Sequence, residues 1–359
     1  MKLSDYDLIG YKIISPFHLA ALTAYASRIQ HGLEPLNVLV LVSKGPWQHN
    51  ILSSSGASHS RLNLTFCNEE QFIQKQSFFW PLFLLLKPIA SRFARLTRVK
   101  IVPVCSPTMT CVKLSVASIH NTFFLSPIVI DEGIGSFNST YIFKEEAKGL
   151  VRSAPARTFF SQLFQFLWKN LPLFGGSRQA LFSFDGDQPV LNETVAESYR
   201  LAFRNGYLAR HQPAKFSTDT VLILTQPFAE AGYCTEAELI AGLCPWIEYA
   251  RQLGGEVLLK PHPAESVAKY ESLGVECLEY SGPVEELFAT FSQNIREVWG
   301  FNSTSLITGR ALFGLVSKRI ELPWPGTSIK LFGDEARALF GKYTEPARQL
   351  ERFDTFPYR

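Results

Sequence analysis

A two-domain α/β fold is what the sequence predicts, on three observations. Apolar runs of strand length alternate with helix-length segments along most of the chain, and strands buried on both faces read as such continuous runs. The alternation stops at a polar stretch, NGYLARHQPAKFST (205–218), and then restarts. The 359 residues also exceed the roughly 100–200 that one domain usually holds. Strands alternating with helices build a parallel sheet covered on both sides. The expectation is two Rossmann-like domains facing a central cleft, with ligands beyond the carboxyl ends of the strands. Their expected limits are 1–205 and 206–335, followed by a helical tail at 336–359 placed back against the first domain.

In the first half, DLIGYKIIS (7–15) is an apolar run, followed by Pro16 and a helical stretch from Phe17 to Gln30. NVLVLVS (37–43), VKIVPVC (99–105) and FFLSPIVID (123–131) have the length and composition of strands. Residues 145–182 read as mostly helical, with a break at Gly175-Gly176. In the second half TVLILTQ (220–226) is a strand, and EAELIAGLCPWIEYARQLG (236–254) a helix with a glycine stop. EVLLKPHP (256–263) reads as a strand and its exit loop. EVWGFNSTSLITGRALFG (297–314) reads as a short strand, a loop, and a helix starting near Ser303; KRIELP (318–323) is a further strand.

Composition excludes several function classes. A net charge of +3 is too small for a nucleic-acid partner, which demands a concentrated basic surface. With 29 Phe, 12 Tyr and 6 Trp, the chain carries far more buriable surface than a disordered one. None of the six cysteines forms a C-x-x-C pair, so no zinc ribbon or thioredoxin-like site is indicated. Asp5 and Asp7 fall where an export signal would need an apolar run, which makes a reducing cytoplasm the expected compartment. The run FFWPLFLLL (78–86) is far short of the ~20 residues of a spanning helix. Lys87, Arg92, Arg95, Arg98 and Lys100 follow it, and a second aromatic stretch, FFSQLFQFLWKNLPLF, occupies 159–174. Segments 78–100 and 159–174 fit either core helices with solvated flanks or peripheral contact with an inner-membrane surface.

Four clusters carry the chemistry. Asp131-Glu132-Gly133 follows the apolar SPIVI, and an acid at the end of a parallel strand is partly desolvated and suited to act as a general base. Gly133 and Gly135 permit a tight turn beside it; an ordinary strand-to-turn ending has the same composition. Lys260-Pro261-His262-Pro263 follows EVLL. Its prolines restrain the backbone on either side of a histidine that can give a hydrogen bond or proton to a phosphate oxygen, and Lys260 adds a point charge. Ser303-Thr304-Ser305 precedes the helix LITGRALF; hydroxyls there cap the helix, and the same N–H groups attract anions. Thr225-Gln226-Pro227 ends TVLIL and is weak on its own.

Taken in order, these clusters resemble the bacterial lipooligosaccharide-type sialyltransferases and their polysialyltransferase relatives. That group shares a D/E-D/E-G motif, an HP motif and an S-S/T motif on a GT-B fold. The matching residues are Asp131-Glu132-Gly133, His262-Pro263 and Ser303-Thr304, with LILTQPFAEAGY (222–233) similar to the strand and loop before the donor site. The match covers short blocks over about 130–310, and two departures stand out. Ala264-Glu265 after the prolines is similar to the usual continuation but not identical, and Asn302-Ser303-Thr304-Ser305 leaves open which two hydroxyls fill the S-S/T role. The resemblance implies transfer of sialic acid, or a related nonulosonic acid, from a CMP-activated donor to a hydroxyl of a bacterial lipooligosaccharide or capsule glycan. It implies inversion, no metal and no cofactor. Asp131 would be the general base and His262 the group facing the departing CMP phosphate. Ser303, Thr304 and Ser305 would hold that phosphate, with Lys260 and Pro263 beside it. Gln226 would line the CMP pocket, and Glu132 and Gly133 would shape the acceptor loop. The first domain would then be the acceptor side and the second the CMP side.

Three other readings fit parts of the sequence. Asp185-Gly186-Asp187 is a literal D-x-D, which in metal-dependent glycosyltransferases holds a cation on a sugar diphosphate; FSFDGDQP also has the composition of a tight turn. A sugar-nucleotide epimerase can share the architecture. A membrane-surface scaffold would use only the aromatic-basic segments.

Overall fold

A computed structural model describes residues 5–44, 48–53, 61–69, 100–103, 128–130, 177–205, 216–280, 282–322 and 327–347. Asp131-Glu132-Gly133, segment 78–99 and segment 159–174 lie outside the described residues. The chain divides into two compact units, Met1–Phe184 with Val190–Leu208, and Asp185–Pro189 with Ala209–Arg359.

The first unit is built on strands β1 (Leu8–Ile13), β2 (Leu36–Val42), β3 (Leu62–Asn68) and β4 (Lys100–Pro103), parallel and ordered β3-β2-β1-β4. Val38 to Val42 are all buried, as befits a strand covered on both faces. Helix α1 (Pro16–Ile29) begins with Pro16 in its first turn, and the Ser15 hydroxyl accepts the His18 N–H at 3.2 Å. It lies so close to β1 that a Cβ on Gly10 would sit 2.2 Å from Leu22 Cδ2. A short helix, α2 (Gln48–Ser53), precedes β3. The sequence reading missed β3, because LNLTFCN alternates polar and apolar residues and its burial is partial. Strand β5 (Ile128–Ile130) pairs in parallel with β6 (Ser177–Gln179) and leads directly to Asp131 in the sequence. Helix α3 (Glu193–Arg204) seats Tyr199 and Phe203 against Phe17 of α1, with ring centroids 5.6 and 6.0 Å apart.

Strands β7 (Phe182–Asp185) and β8 (Gln188–Leu191) form a hairpin. Its turn is the D-x-D segment, with Gly186 at φ +57° and both aspartates exposed. A glycine in the left-handed region is what a two-residue hairpin turn requires, so this segment has the geometry of a turn.

The second unit is a single six-stranded parallel sheet. Its strands are β9 (Thr220–Leu224), β10 (Val257–Lys260), β11 (Glu276–Cys277), β12 (Ile295–Gly300), β13 (Val316–Arg319) and β14 (Glu345–Pro346), ordered β11-β10-β9-β12-β13-β14. The chain lays down β9, moves outward through β10 and β11, then returns to the other side for β12 to β14. The reversal falls between β9 and β12. Successive residues of β9 face opposite layers. Val221 and Ile223 pack with Trp246 and Ile247 of helix α4 (Glu236–Gln252). Leu222 and Leu224 pack with Leu287 and Phe288 of helix α5 (Val284–Phe291) and Leu306 of helix α6 (Thr304–Phe313). Each fully buried side chain of this kind stabilises by about 1.5–3 kcal/mol. Helix α4 starts with a reciprocal cap: Thr235 Oγ1 accepts the Glu238 N–H at 3.2 Å, and Glu238 Oε2 accepts the Thr235 N–H at 2.7 Å. Residues 336–347, within the stretch 336–359 set apart as a tail, belong to the second unit. Helix α7 (Asp334–Tyr343) carries the chain to β14, which pairs with β13.

Candidate active site

In an open parallel sheet, the strand order reverses where neighbouring exit loops diverge, and ligands bind there beyond the carboxyl ends. In the second unit this point is flanked by β9 and β12, with β10 beside them. One register row crosses the sheet at this edge: Lys260 pairs with Leu224, Leu224 with Gly300, and Gly300 with Arg319. Immediately beyond the row come Gln226 from β9, His262 and Pro263 from β10, and Ser303, Thr304 and Ser305 from β12. The fold therefore brings to one edge the three second-domain clusters that the sequence singled out. Asp131, Glu132 and Gly133 follow β5 of the first unit, outside the described residues.

The His262 loop is a β-turn in which Glu265 N–H donates to His262 O at 2.9 Å, with Pro263 second in the turn. Proline presets the φ of that position, which is the local reason for the His-Pro pair. The turn carries the Glu265 carboxylate back beneath the histidine. Glu265 Oε2 accepts the His262 N–H at 2.8 Å and the Thr225 hydroxyl. Glu265 Oε1 accepts Lys269 Nζ and the Tyr270 hydroxyl, each at 2.6 Å. Lys269 also pairs with Glu230, at 2.9 Å. The Ala264 N–H donates to His262 Nδ1 at 3.2 Å. That bond selects the neutral tautomer whose proton sits on Nε2, leaving Nε2–H to donate to a ligand. Burial, foremost, holds the His262 pKa below its usual value, while the Glu265 carboxylate opposes the shift.

Lys260 is buried, and its ammonium donates to the Pro261 carbonyl at 3.0 Å. Burial pushes its pKa down to about 8. Gln226 uses its backbone carbonyl to accept the Phe228 N–H at 2.7 Å. Phe228 meets Phe301 edge-to-face at 5.0 Å, so an aromatic pair ties the exit of β9 to that of β12.

Ser303 is the N-cap of α6, its hydroxyl oxygen accepting the Ser305 N–H at 3.2 Å. Ser305 Oγ and Thr308 Oγ1 donate to Oε1 of Glu285, at 2.9 and 2.8 Å. The Ser305 hydroxyl is thus committed to an acid of α5. A helix N-terminus offers N–H groups and the positive end of the macrodipole to an anion.

The sequence reading missed Glu265, Lys269, Tyr270 and Glu230. The signal for Glu265 was present in the spacing His-Pro-Ala-Glu, which places an acid at the fourth position of a proline turn. It also missed Arg319, which is 9% exposed, with Nε and Nη1 lacking a hydrogen-bond partner among the described residues. Among the described residues, no helix is long and apolar enough to cross a membrane.

No curated protein sequence matches the chain. Among solved structures, an alpha/beta-galactoside alpha-2,3-sialyltransferase from Photobacterium phosphoreum is 12% identical, covering 94% of this chain and 97% of its own, with a TM-score of 0.48. The GT-B domain of a sialyltransferase from Photobacterium damselae is 11% identical over 94% of this chain and 97% of its own, with a TM-score of 0.45. A UDP-N-acetylglucosamine 2-epimerase from Listeria monocytogenes is 6% identical over 95% and 83%, with a TM-score of 0.49. The alpha-2,8-polysialyltransferase (POLYST) family model matches residues 115–319. That span is more than half of the chain and contains the acidic, His-Pro and Ser-Thr clusters, so the chain belongs to the alpha-2,8-polysialyltransferase family and is a glycosyltransferase of the sialyltransferase type.

Proposed function

We propose that the protein transfers sialic acid, or a related nonulosonic acid, from a CMP-activated donor to a hydroxyl of a bacterial surface glycan, on a GT-B layout. The observation that carries this reading is the placement of the His262 turn, after β10, and the start of α6, after β12, at one carboxyl edge of the second sheet on either side of β9. CMP leaves with one phosphate group. An imidazole and the N–H groups and hydroxyls of Ser303 and Thr304 suffice to hold that charge, so no divalent cation is required. Gln226 lines the nucleoside side, and Lys260 and Pro263 shape the loop. A nonulosonic donor carries a carboxylate beside its phosphate, and the buried guanidinium of Arg319 at the same edge suits a second anion.

In the transfer step the acceptor oxygen attacks the anomeric carbon, and Asp131 takes its proton. The bond from that carbon to the phosphate oxygen breaks on the opposite side, with the electron pair leaving on CMP. His262 donates a hydrogen bond or its proton to the departing phosphate. The configuration at the anomeric carbon inverts. Glu132 and Gly133 set the loop at the acceptor, and segments 78–100 and 159–174 bring the enzyme to glycans assembled at the inner membrane face.

The test is thermal stabilisation by CMP, with and without EDTA. A ligand that binds only the native state raises the midpoint by mass action, by about 2.7 kcal/mol of stability at a hundredfold excess over Kd. Wild type should show a shift that survives EDTA and shrinks in His262→Ala. Absence of any shift in wild type would sink the CMP reading, and a shift abolished by EDTA would point to a metal-held sugar diphosphate.

A further inference from the structure

The proline turn at His262 delivers a carboxylate to a place where four donors converge. Glu265 has a side chain 0% exposed, and Lys269 beside it is 3% exposed. Its acceptors receive the His262 backbone N–H from the exit of β10 and the Thr225 hydroxyl from the exit of β9. They also receive Lys269 and Tyr270 from the 3-10 helix Val267–Leu273. A carboxylate offers two oxygens of two acceptor sites each, and here every one is engaged. Burying such a group is unfavourable unless it is paired and fully hydrogen-bonded, and this one is both. Its partners come from three separate segments, so it fixes the two exit loops relative to each other.

We propose that Glu265 is a positioning residue for the transfer reaction, acting through His262: it sets the backbone and the electrostatic environment of the imidazole without touching the donor. This rests on the reading of His262 as the group that faces the leaving phosphate. Among the described residues, the charged groups around the imidazole are Lys260 on β10, Glu265 in its own turn, Glu230 in the exit loop of β9 and Lys269 on the 3-10 helix. Burial lowers the His262 pKa; the two glutamates raise it, and the two lysines lower it. Removing the Glu265 charge therefore moves the titration of His262 to lower pH. The charged imidazolium, and with it the stronger charge-assisted bond to a phosphate, is then lost at a lower pH than in wild type, leaving the weaker bond from the neutral Nε2–H. Glutamine is no substitute, because its amide nitrogen would face either His262 N–H and Thr225 or Lys269 and Tyr270, all donors.

The experiment compares the full chain as wild type, Glu265→Gln, Glu265→Asp, Tyr270→Phe and His262→Ala. The first readout is NMR titration of the His262 ring without ligand, the signal being assigned by its loss in His262→Ala. The midpoint should fall in Glu265→Gln and stay in place in Tyr270→Phe, which removes one donor but no charge. The second readout is CMP affinity by calorimetry across pH. Glu265→Gln should lose on the order of 10-fold at neutral pH, as expected for a lost hydrogen bond to a charged group, with its pH midpoint displaced downward. Glu265→Asp keeps the charge but shortens the reach, so it should lose affinity while His262 titrates as in wild type. This second variant also serves if Glu265→Gln does not fold. The proposal is overturned if His262 titrates alike in wild type and Glu265→Gln, or if Glu265→Asp binds CMP as wild type does. Should wild type bind no CMP, the donor reading fails, while the ligand-free titration still decides whether Glu265 governs His262.

Discussion

Glu265 and Glu285 are both sealed from water, yet the protein treats them differently. Glu265 meets an ammonium, two hydroxyls and a backbone N–H. Among the described residues Glu285 meets no cation, receiving the neutral hydroxyls of Ser305 and Thr308 and its own backbone N–H, and burial raises its pKa. An acid whose folded pKa is raised contributes fully to stability below the ordinary carboxylate pKa of about 4.3, and that contribution is lost as pH rises through the folded value. Both hydroxyls donate to Oε1, so Glu285→Gln retains an acceptor for them and removes the ionisation. Scanning calorimetry should find the variant's melting point rising relative to wild type between pH 5 and pH 8. The expected gain is about 2–4 °C for each kcal/mol recovered. A difference that is flat with pH, or of opposite sign, would mean that Glu285 carries its charge at no penalty. At this scale the sequence showed His262, Pro263 and Ser303 plainly, because their local chemistry is self-contained. Arg319 and Glu285 gave no such signal: their environment is set by segments distant in the chain.

Strands with four or more consecutive apolar residues, such as β2 and β9, announce themselves, since burial on both faces demands an unbroken run. Strands β11 and β14 have two residues each and complete the sheet only by pairing with neighbours already in place. Junctions between elements are equally hidden. Gly255 joins α4 to β10 with φ +137°, and a Cβ there would lie 2.2 Å from the Asp219 carbonyl oxygen. Asp219 itself has φ +66°. This close approach starts the β9–β10 pairing, in which the Val221 N–H donates to Glu256 O at 2.8 Å. Backbone strain alone costs about 1–3 kcal/mol per residue forced into such a conformation, and the clash adds to it. Gly255→Ala should lower the melting point by several degrees and depress expression, whereas Asp219→Gly should be neutral or stabilising. An unchanged midpoint in Gly255→Ala, read by urea denaturation, would show that the junction relaxes freely.

For the whole molecule, the proposed base and the proposed phosphate group belong to different compact units: Asp131 falls in the first and His262 in the second. Donor binding and proton abstraction should then separate on mutation. Asp131→Ala should retain the CMP-induced thermal shift and lose transfer by about 10²–10⁴, the usual contribution of a general base. His262→Ala should weaken both. Measuring CMP affinity and sialyl transfer on the same two preparations checks this. Loss of CMP binding in Asp131→Ala would remove that residue from the role of base alone.

The sequence by itself determined the two-unit α/β architecture, the family and the identity of the second-unit clusters, because apolar periodicity and short rigid motifs are local properties of a chain. Tertiary structure alone decided the strand order, and so where the sheet reverses and which exit loops lie side by side. It also decided that Ser305 bonds to Glu285 and that Glu265 anchors His262. Each of these depends on hydrogen bonds between residues brought together by the sheet, and no local pattern records which partner a buried polar group will find.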